Sequence, residues 1–157
     1  MKLPLPQTYE LIRTEDLPDL QATGYYLIHK KTGARFALVD GPDENRVFLC
    51  AFRTPALGST GVSHIIEHAV LNGSDRFPDK EAFQAIHEGS LATIATAGTA
   101  QDKTMYFYDT QNLQDYRNLL DYYLDTMFAP WSAGMTIPSA RRVGIMRSHR
   151  TRTAVSI

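Results

Sequence analysis

The sequence lacks several features that would assign it to particular classes of protein. Its 157 residues contain one cysteine, so no internal disulfide can form. No apolar run approaches the ~18 residues of a membrane-spanning helix, and the N-terminus, interrupted by Pro4 and Pro6, lacks the long apolar core of a signal peptide. We therefore expect a soluble, single-domain protein of the cytoplasm. Cys50 lies in the apolar run VFLCAF, which predicts a buried strand thiol.

Residues 131–157 contain no Asp, Glu, Lys, Leu, Phe or Tyr. Their five arginines give this segment a charge of +5, which leaves −6 for residues 1–130. Such a shift in composition usually marks a boundary. The arginines are not interleaved with aromatic residues and form no helical stripe, so we expect binding to neither nucleic acid nor a membrane. They are Arg141, Arg142, Arg147, Arg150 and Arg152.

Runs of β-branched and aromatic residues predict five strands. Three are expected within residues 24–52, where KKTG and DGPDEN separate the runs, and the first two form a hairpin around Thr32 and Gly33. Two more strands are expected at 90–98 and 103–110.

Three helices are also expected. The first covers residues 60–72, with Ser59 or Thr60 as its N-cap and Asn72 and Gly73 as its C-terminal stop. The second runs from about Pro78 to Gly89. The third covers 112–128 and carries an apolar stripe that predicts a core-facing helix, the alternative being a partner-binding face: Leu113, Tyr116, Leu120, Tyr123, Leu124 and Met127. The order of elements predicts an α+β domain with helices packed on one face of a largely antiparallel sheet.

The first helix carries the residues with the clearest chemical content, in the phrase HIIEH. His64, Glu67 and His68 fall within one arc of roughly 100° on a helix, so both imidazoles can reach one ion. Neutral imidazoles are suitable zinc ligands. Glu67 would take a proton from water activated by the metal, and H-x-x-E-H is the inverzincin signature. The alternative is a solvated helix face on which Glu67 is an i, i+3 partner of His64.

The phrase TGVSHIIEHAVLNGS and the residues around it, over about 9–130, resemble the pitrilysin/insulinase-type zinc metallopeptidases, most closely the presequence-protease subfamily. The resemblance implies that His64 and His68 are zinc ligands and that Glu67 is the catalytic base. It implies unfolded peptides as substrates, each bound as an added strand at a sheet edge inside a chamber formed by two large halves.

The resemblance also implies which residues receive the peptide. Relatives read approximately SLNTFLNAMTYPDKT here, whereas this chain has Ala92 and Thr96 in place of two asparagines and Ala100 and Gln101 in place of Tyr-Pro. The loss of two amides predicts weaker positioning of a peptide. The implied substrate-binding residues are Leu91, Ala92, Thr93, Ile94, Ala95, Thr96 and Ala97.

The resemblance also implies a third zinc ligand, a glutamate on a later helix that lies beyond the end of this sequence. We therefore predict a partial N-terminal peptidase domain at 1–130, truncated before that ligand, with uncovered apolar surface that favours self-association. The alternative is a catalytically incompetent fragment, or a non-catalytic homologue, that binds metal weakly or not at all.

The tail at 131–157 has its own interpretation. One permitted set of codons for ARRVGIMRS, residues 140–148, reads in a shifted frame as QEGWHYEV, which resembles a phrase that follows in the family. We therefore expect this tail to be translated out of frame and disordered.

Overall fold

The computed structural model describes residues 5–56, 58–79 and 81–130. They form two compact units, the first ending at Glu44 and the second beginning at Asn45. In these ranges no helix is both long and apolar enough to cross a bilayer. The tail at 131–157, which we expected to be disordered and out of frame, lies outside the described residues.

The first unit is a three-stranded antiparallel sheet in the order β1-β2-β3. Its strands are β1 (Tyr9–Leu17), β2 (Ala22–His29) and β3 (Arg35–Asp40), with a short 3-10 helix at Pro18–Leu20. The predicted β2-β3 hairpin is confirmed: Gly33 has a φ of 72° and donates its N–H to the His29 carbonyl at 2.8 Å. A glycine suits this turn because a side chain is strained at such a φ.

Strand β1 was not predicted. Seven of its nine residues are exposed, and its register with β2 shifts between Leu11 and Arg13. The sequence YELIRTEDL therefore lacks the alternation of buried and exposed positions by which a strand is recognised.

The described residues of the second unit form another three-stranded antiparallel sheet, in the order β4-β6-β5, with three helices. Among the described residues β5 pairs only with β6, so one of its sides is a free edge in this part of the chain. The elements are β4 (Arg46–Arg53), α1 (Val62–Leu71), α2 (Ala82–Gly89), β5 (Ile94–Thr99), β6 (Lys103–Thr110) and α3 (Leu113–Phe128).

The core of the second unit lies between one face of this sheet and the helices α1 and α3. The sheet contributes alternate residues, as expected for strands with one covered face. The buried apolar residues of these elements are Phe48, Cys50, Ala95, Tyr106 and Tyr108 of the sheet, Val70 and Leu71 of α1, and Leu119, Tyr122, Tyr123 and Met127 of α3. The predicted α+β class and the buried Cys50 are thus confirmed, although the strands form two sheets instead of one.

Helix α3 agrees with its predicted bounds, but its buried face is rotated from the predicted stripe. Tyr123 and Met127 are buried as predicted, whereas Leu113 is 47% exposed. Leu119, Tyr122 and Thr126 lie outside the predicted stripe, yet each is at most 1% exposed. The hydroxyls are satisfied inside the core, since Thr126 donates to the Tyr122 carbonyl at 3.0 Å.

Candidate active site

Helix α1 begins differently from the prediction. Its N-cap is Gly61, with a φ of 65°, and no side chain caps the helix. Ser59 and Thr60 are exposed and precede this residue, so the predicted hydroxyl cap is wrong. A left-handed glycine allows the chain to turn sharply into the helix.

The C-terminal end of α1 is where the prediction placed it, and it is bonded to α3. Asn72 is the C-cap, and the Tyr122 hydroxyl donates to the Leu71 carbonyl at 2.6 Å inside the core. Ser74, just beyond the helix, donates to the Asp125 carboxylate. Together these bonds fix the position of α1 relative to α3.

His64 and His68 lie side by side on α1. Their Nε2 atoms are 3.0 Å apart and their ring centroids 4.8 Å apart, and both side chains are exposed. A hydrogen bond between two neutral imidazoles needs one protonated and one unprotonated ring nitrogen, and an unprotonated ring nitrogen can also bind a metal ion. Two ligands of one tetrahedral zinc ion, each about 2.0 to 2.1 Å from the metal, are separated by about 3.4 Å. The observed pair therefore fits zinc with little movement.

Glu67 lies on the same turn but is only 5% exposed. Its Oε2 accepts a hydrogen bond of 2.6 Å from the hydroxyl of Thr99 on β5. Burial, together with this nearby carboxylate, raises the pKa of the Tyr106 phenol on β6. Glu67 is thus held against the sheet while the two histidines remain accessible.

Among the described residues, the structure brings together two side chains that can bind a metal ion, those of His64 and His68. In the part of the chain that it describes, no group of three or more His, Cys, Asp or Glu side chains is arranged to hold a metal ion. Glu88, on the following helix, accepts a hydrogen bond of 2.6 Å from Gln84. The donor set found here is therefore half that of a four-coordinate zinc site.

A cleft of about 300 Å³ separates α1 from β5. His64, Glu67 and His68 line one side, and residues 96–99 line the other. The residues from which we predicted substrate binding only partly coincide with this wall, because β5 is Ile94–Thr99 instead of 91–97.

Leu91, Ala92 and Thr93 precede the strand and are bonded elsewhere. The backbone N–H of Leu91 donates to Asp115 at 3.1 Å, that of Ala92 to the Ser90 hydroxyl at 2.9 Å, and that of Thr93 to the Asp109 carbonyl at 2.9 Å. Their amides are therefore already used within the domain.

The free edge of β5 has a definable hydrogen-bonding pattern. Ala100 donates to the Lys103 carbonyl at 2.8 Å, which makes these two residues a hydrogen-bonded pair at the end of the ladder. Hydrogen-bonded and non-hydrogen-bonded pairs alternate along an antiparallel ladder. The backbone groups of Ala95, Ala97 and Thr99 therefore point away from β6.

Sequence reasoning overlooked Thr99. A threonine in a run of β-forming residues is ordinary, and no spacing along the chain connects it with Glu67, 32 positions earlier. The signal that could have found it is the alternation of β5, which places Thr99 on the same face as the buried Ala95.

Comparisons with known proteins identify the family of the chain. The profile of the family described as Insulinase (Peptidase family M16) matches residues 57–136. The mitochondrial presequence protease of Danio rerio is 46% identical over 114 residues, which are 73% of this chain and 11% of that protein. Presequence protease 1, chloroplastic/mitochondrial, of Arabidopsis thaliana is 42% identical over 122 residues, or 78% of this chain and 11% of its own.

A bacterial relative shows the same extent of similarity. Protein HypA of Clostridium perfringens is 41% identical over 122 residues, which are 78% of this chain and 12% of that protein. The chain thus spans about a tenth of the length of the curated relatives it matches.

The prediction of a cytoplasmic location is wrong. Presequence proteases among the relatives are named as mitochondrial or as chloroplastic/mitochondrial. The prediction rested on features that the sequence lacks, and such absences do not distinguish one aqueous compartment from another.

Proposed function

The chain belongs to peptidase family M16, and on that premise we propose that the cleft between α1 and β5 is the site of a zinc metalloendopeptidase acting on unfolded peptides. The observation that carries the proposal is the pair of imidazole Nε2 atoms 3.0 Å apart, one helical turn from a buried carboxylate. Neutral imidazoles are zinc ligands, and a carboxylate beside them can accept a proton from zinc-activated water.

Each residue of α1 has a role in this proposal. His64 and His68 would hold zinc through Nε2. Bound zinc supplies a Lewis acid that activates water and polarises a carbonyl. Glu67 would act as general base and take the proton of the attacking water at Oε1, because Oε2 accepts from Thr99.

The substrate would bind along the free edge of β5. A peptide added as a further strand can bond with the outward backbone groups of Ala95, Ala97 and Thr99 whatever its side chains are. The Thr96 hydroxyl donates to the Ala97 carbonyl at 3.2 Å, so it competes with the peptide for one of these groups. This competition supports the expectation of weak peptide positioning.

A third zinc ligand would come from outside the described residues, as the family resemblance implies. The alternative is a catalytically incompetent fragment, or a non-catalytic homologue, that binds metal weakly or not at all. The specific observation in its favour is that the described ranges 5–56, 58–79 and 81–130 supply no group of three metal ligands.

Two further proposals concern the context of the chain. The names of the relatives support a location in an organelle. The change in composition at residue 130 supports an out-of-frame origin for 131–157. Sequencing of the gene tests the latter, which fails if no shifted frame encodes a continuation of the family sequence.

The proposed activity is tested by measuring zinc content and hydrolysis of an unfolded peptide by this chain, with Glu67→Gln as the control. The proposal predicts one bound zinc per chain in both proteins and turnover in the unsubstituted chain alone, lower in Glu67→Gln by at least about a hundredfold. Zinc binding without turnover that depends on Glu67, or weak or absent zinc binding, would overturn the proposal and favour the catalytically incompetent alternative.

A further inference from the structure

We infer that Thr99 is a positioning residue that keeps Glu67 available as a base by holding its carboxylate on β5 and out of the metal's coordination. The inference rests on the proposed function of His64, Glu67 and His68. It adds a role for a residue of the strand that would receive the peptide.

The first observation is the bond itself. Thr99 donates its hydroxyl to Glu67 Oε2 at 2.6 Å, at the short end of the range for O–H···O hydrogen bonds. Glu67 is 5% exposed and Thr99 is half-buried, so water competes weakly for this bond. The carboxylate is therefore oriented by β5 and not by its own helix.

The second observation is what surrounds Glu67. The carboxylate lies beside His68 in sequence and one turn from His64, yet no described group of three ligands includes it. A flexible glutamate at this position could turn towards a cation held by the two imidazoles, since carboxylate oxygens are also zinc ligands. A glutamate that coordinates the metal loses the basicity needed to accept a proton from water.

The third observation concerns the strand. Thr99 has outward backbone groups on the free edge of β5, as derived above from the ladder, while its side chain holds Glu67. A peptide that binds this edge would therefore contact the backbone of the residue that orients the base. Thr99 would therefore contact the bound peptide through its backbone and the base Glu67 through its side chain.

The test uses zinc affinity of the full chain, measured by competition with a chromogenic chelator. Thr99→Val keeps the shape of the side chain and removes the hydroxyl, so the freed Glu67 can add a metal bond. The expected result is zinc binding several-fold tighter than in the unsubstituted chain, together with peptide turnover lower by about ten- to a hundredfold. Damage to the fold would weaken both properties.

Three further variants sharpen the test. Thr99→Ser restores the hydroxyl and is expected to restore both properties. In a Glu67→Gln background, Thr99→Val is expected to leave zinc affinity unchanged, since no carboxylate remains to be released. The matched control is Thr104→Val, which removes the hydroxyl of the residue opposite Thr99 on β6; that hydroxyl bonds to Thr54 at 2.8 Å and not to Glu67. It is expected to leave zinc affinity unchanged.

A metal-free measurement separates this inference from the proposed function. In the chain without zinc, the carboxyl carbon resonance of Glu67 is expected to shift in Thr99→Val and to stay in place in Thr104→Val. If the unsubstituted chain binds no zinc, the proposed function fails and this resonance still decides whether Thr99 positions Glu67. An unshifted resonance, or zinc binding that is unchanged or weaker in Thr99→Val, overturns the inference.

Discussion

Helices α1 and α3 lie in the same unit and are joined by a hydrogen bond from Tyr122 to Leu71. They differ in how they begin and in which side chains they bury. Helix α3 begins at Asn112, whose side chain accepts from the N–H groups of Gln114 and Asp115, and it buries a continuous face. Helix α1 begins at an uncapped glycine and buries a carboxylate while its histidines are exposed. The difference indicates that α3 supplies stability and that α1 depends on it for position.

The comparison is tested most strongly by substitutions on the buried face of α3 and the exposed face of α1. Leu119 is 1% exposed, and Leu119→Ala is expected to lower the free energy of unfolding by about 2 to 5 kcal/mol, through lost apolar burial and the cavity that remains. In the metal-free chain, His64→Ala on α1 is expected to change the free energy of unfolding by less than about 0.5 kcal/mol, because the His64 side chain is exposed.

Urea unfolding followed by circular dichroism measures both effects. Equal losses in the two variants would contradict the division of roles between the helices. The same would follow if His64→Ala were the more damaging change.

A smaller effect is expected at the helix starts. Asn112→Ala removes the side chain that satisfies two backbone N–H groups of α3, which is expected to cost about 1 kcal/mol of stability. Ser59→Ala is the matched change ahead of α1, where no side chain caps the helix, and should have no measurable effect. Thermal unfolding of the two variants compares them directly, and a loss in Ser59→Ala would mean that α1 is capped after all.

Much of the fold could be predicted from local patterns. The hairpin at Gly33, the end of α1 at Asn72 and the bounds of α3 all follow from turn residues, stop signals and helical spacing. Strand β1 could not be predicted because its two faces are both largely exposed. The division into two sheets depends on pairing between distant strands, which no local pattern determines.

The start of helix α2 could not be predicted from the sequence pattern. It begins at Ala82, four positions after the predicted start at Pro78. The Asp79 side chain accepts from the Glu81 N–H at 2.9 Å and so forms a turn ahead of the helix. An Asp side chain that bonds to a nearby backbone N–H can stabilise a turn in place of the first turn of a helix. The sequence alone does not indicate which of these two structures forms.

Only the part of the candidate site that lies within helix α1 could be predicted from the sequence. Helical spacing brings His64 and His68 together, and the structure has their ring nitrogens 3.0 Å apart. The partner of Glu67 could not be predicted, because Thr99 reaches it through the packing of β5 on α1. The start of β5 at Ile94 was also missed, since the Leu91 and Ala92 amides bond to the side chains of Asp115 and Ser90 instead of joining the ladder.

The central claim is that the imidazole pair of α1 binds zinc, and nuclear magnetic resonance of the histidine rings tests it most directly. On titration of the full chain with zinc, the ring resonances of His64 and His68 are expected to shift together and to stop changing at one equivalent. Those of His29, which bonds to Thr32 at 2.7 Å, and of His87 serve as internal references and are expected to remain in place. Unshifted His64 and His68, or equal shifts in all four, would contradict the claim.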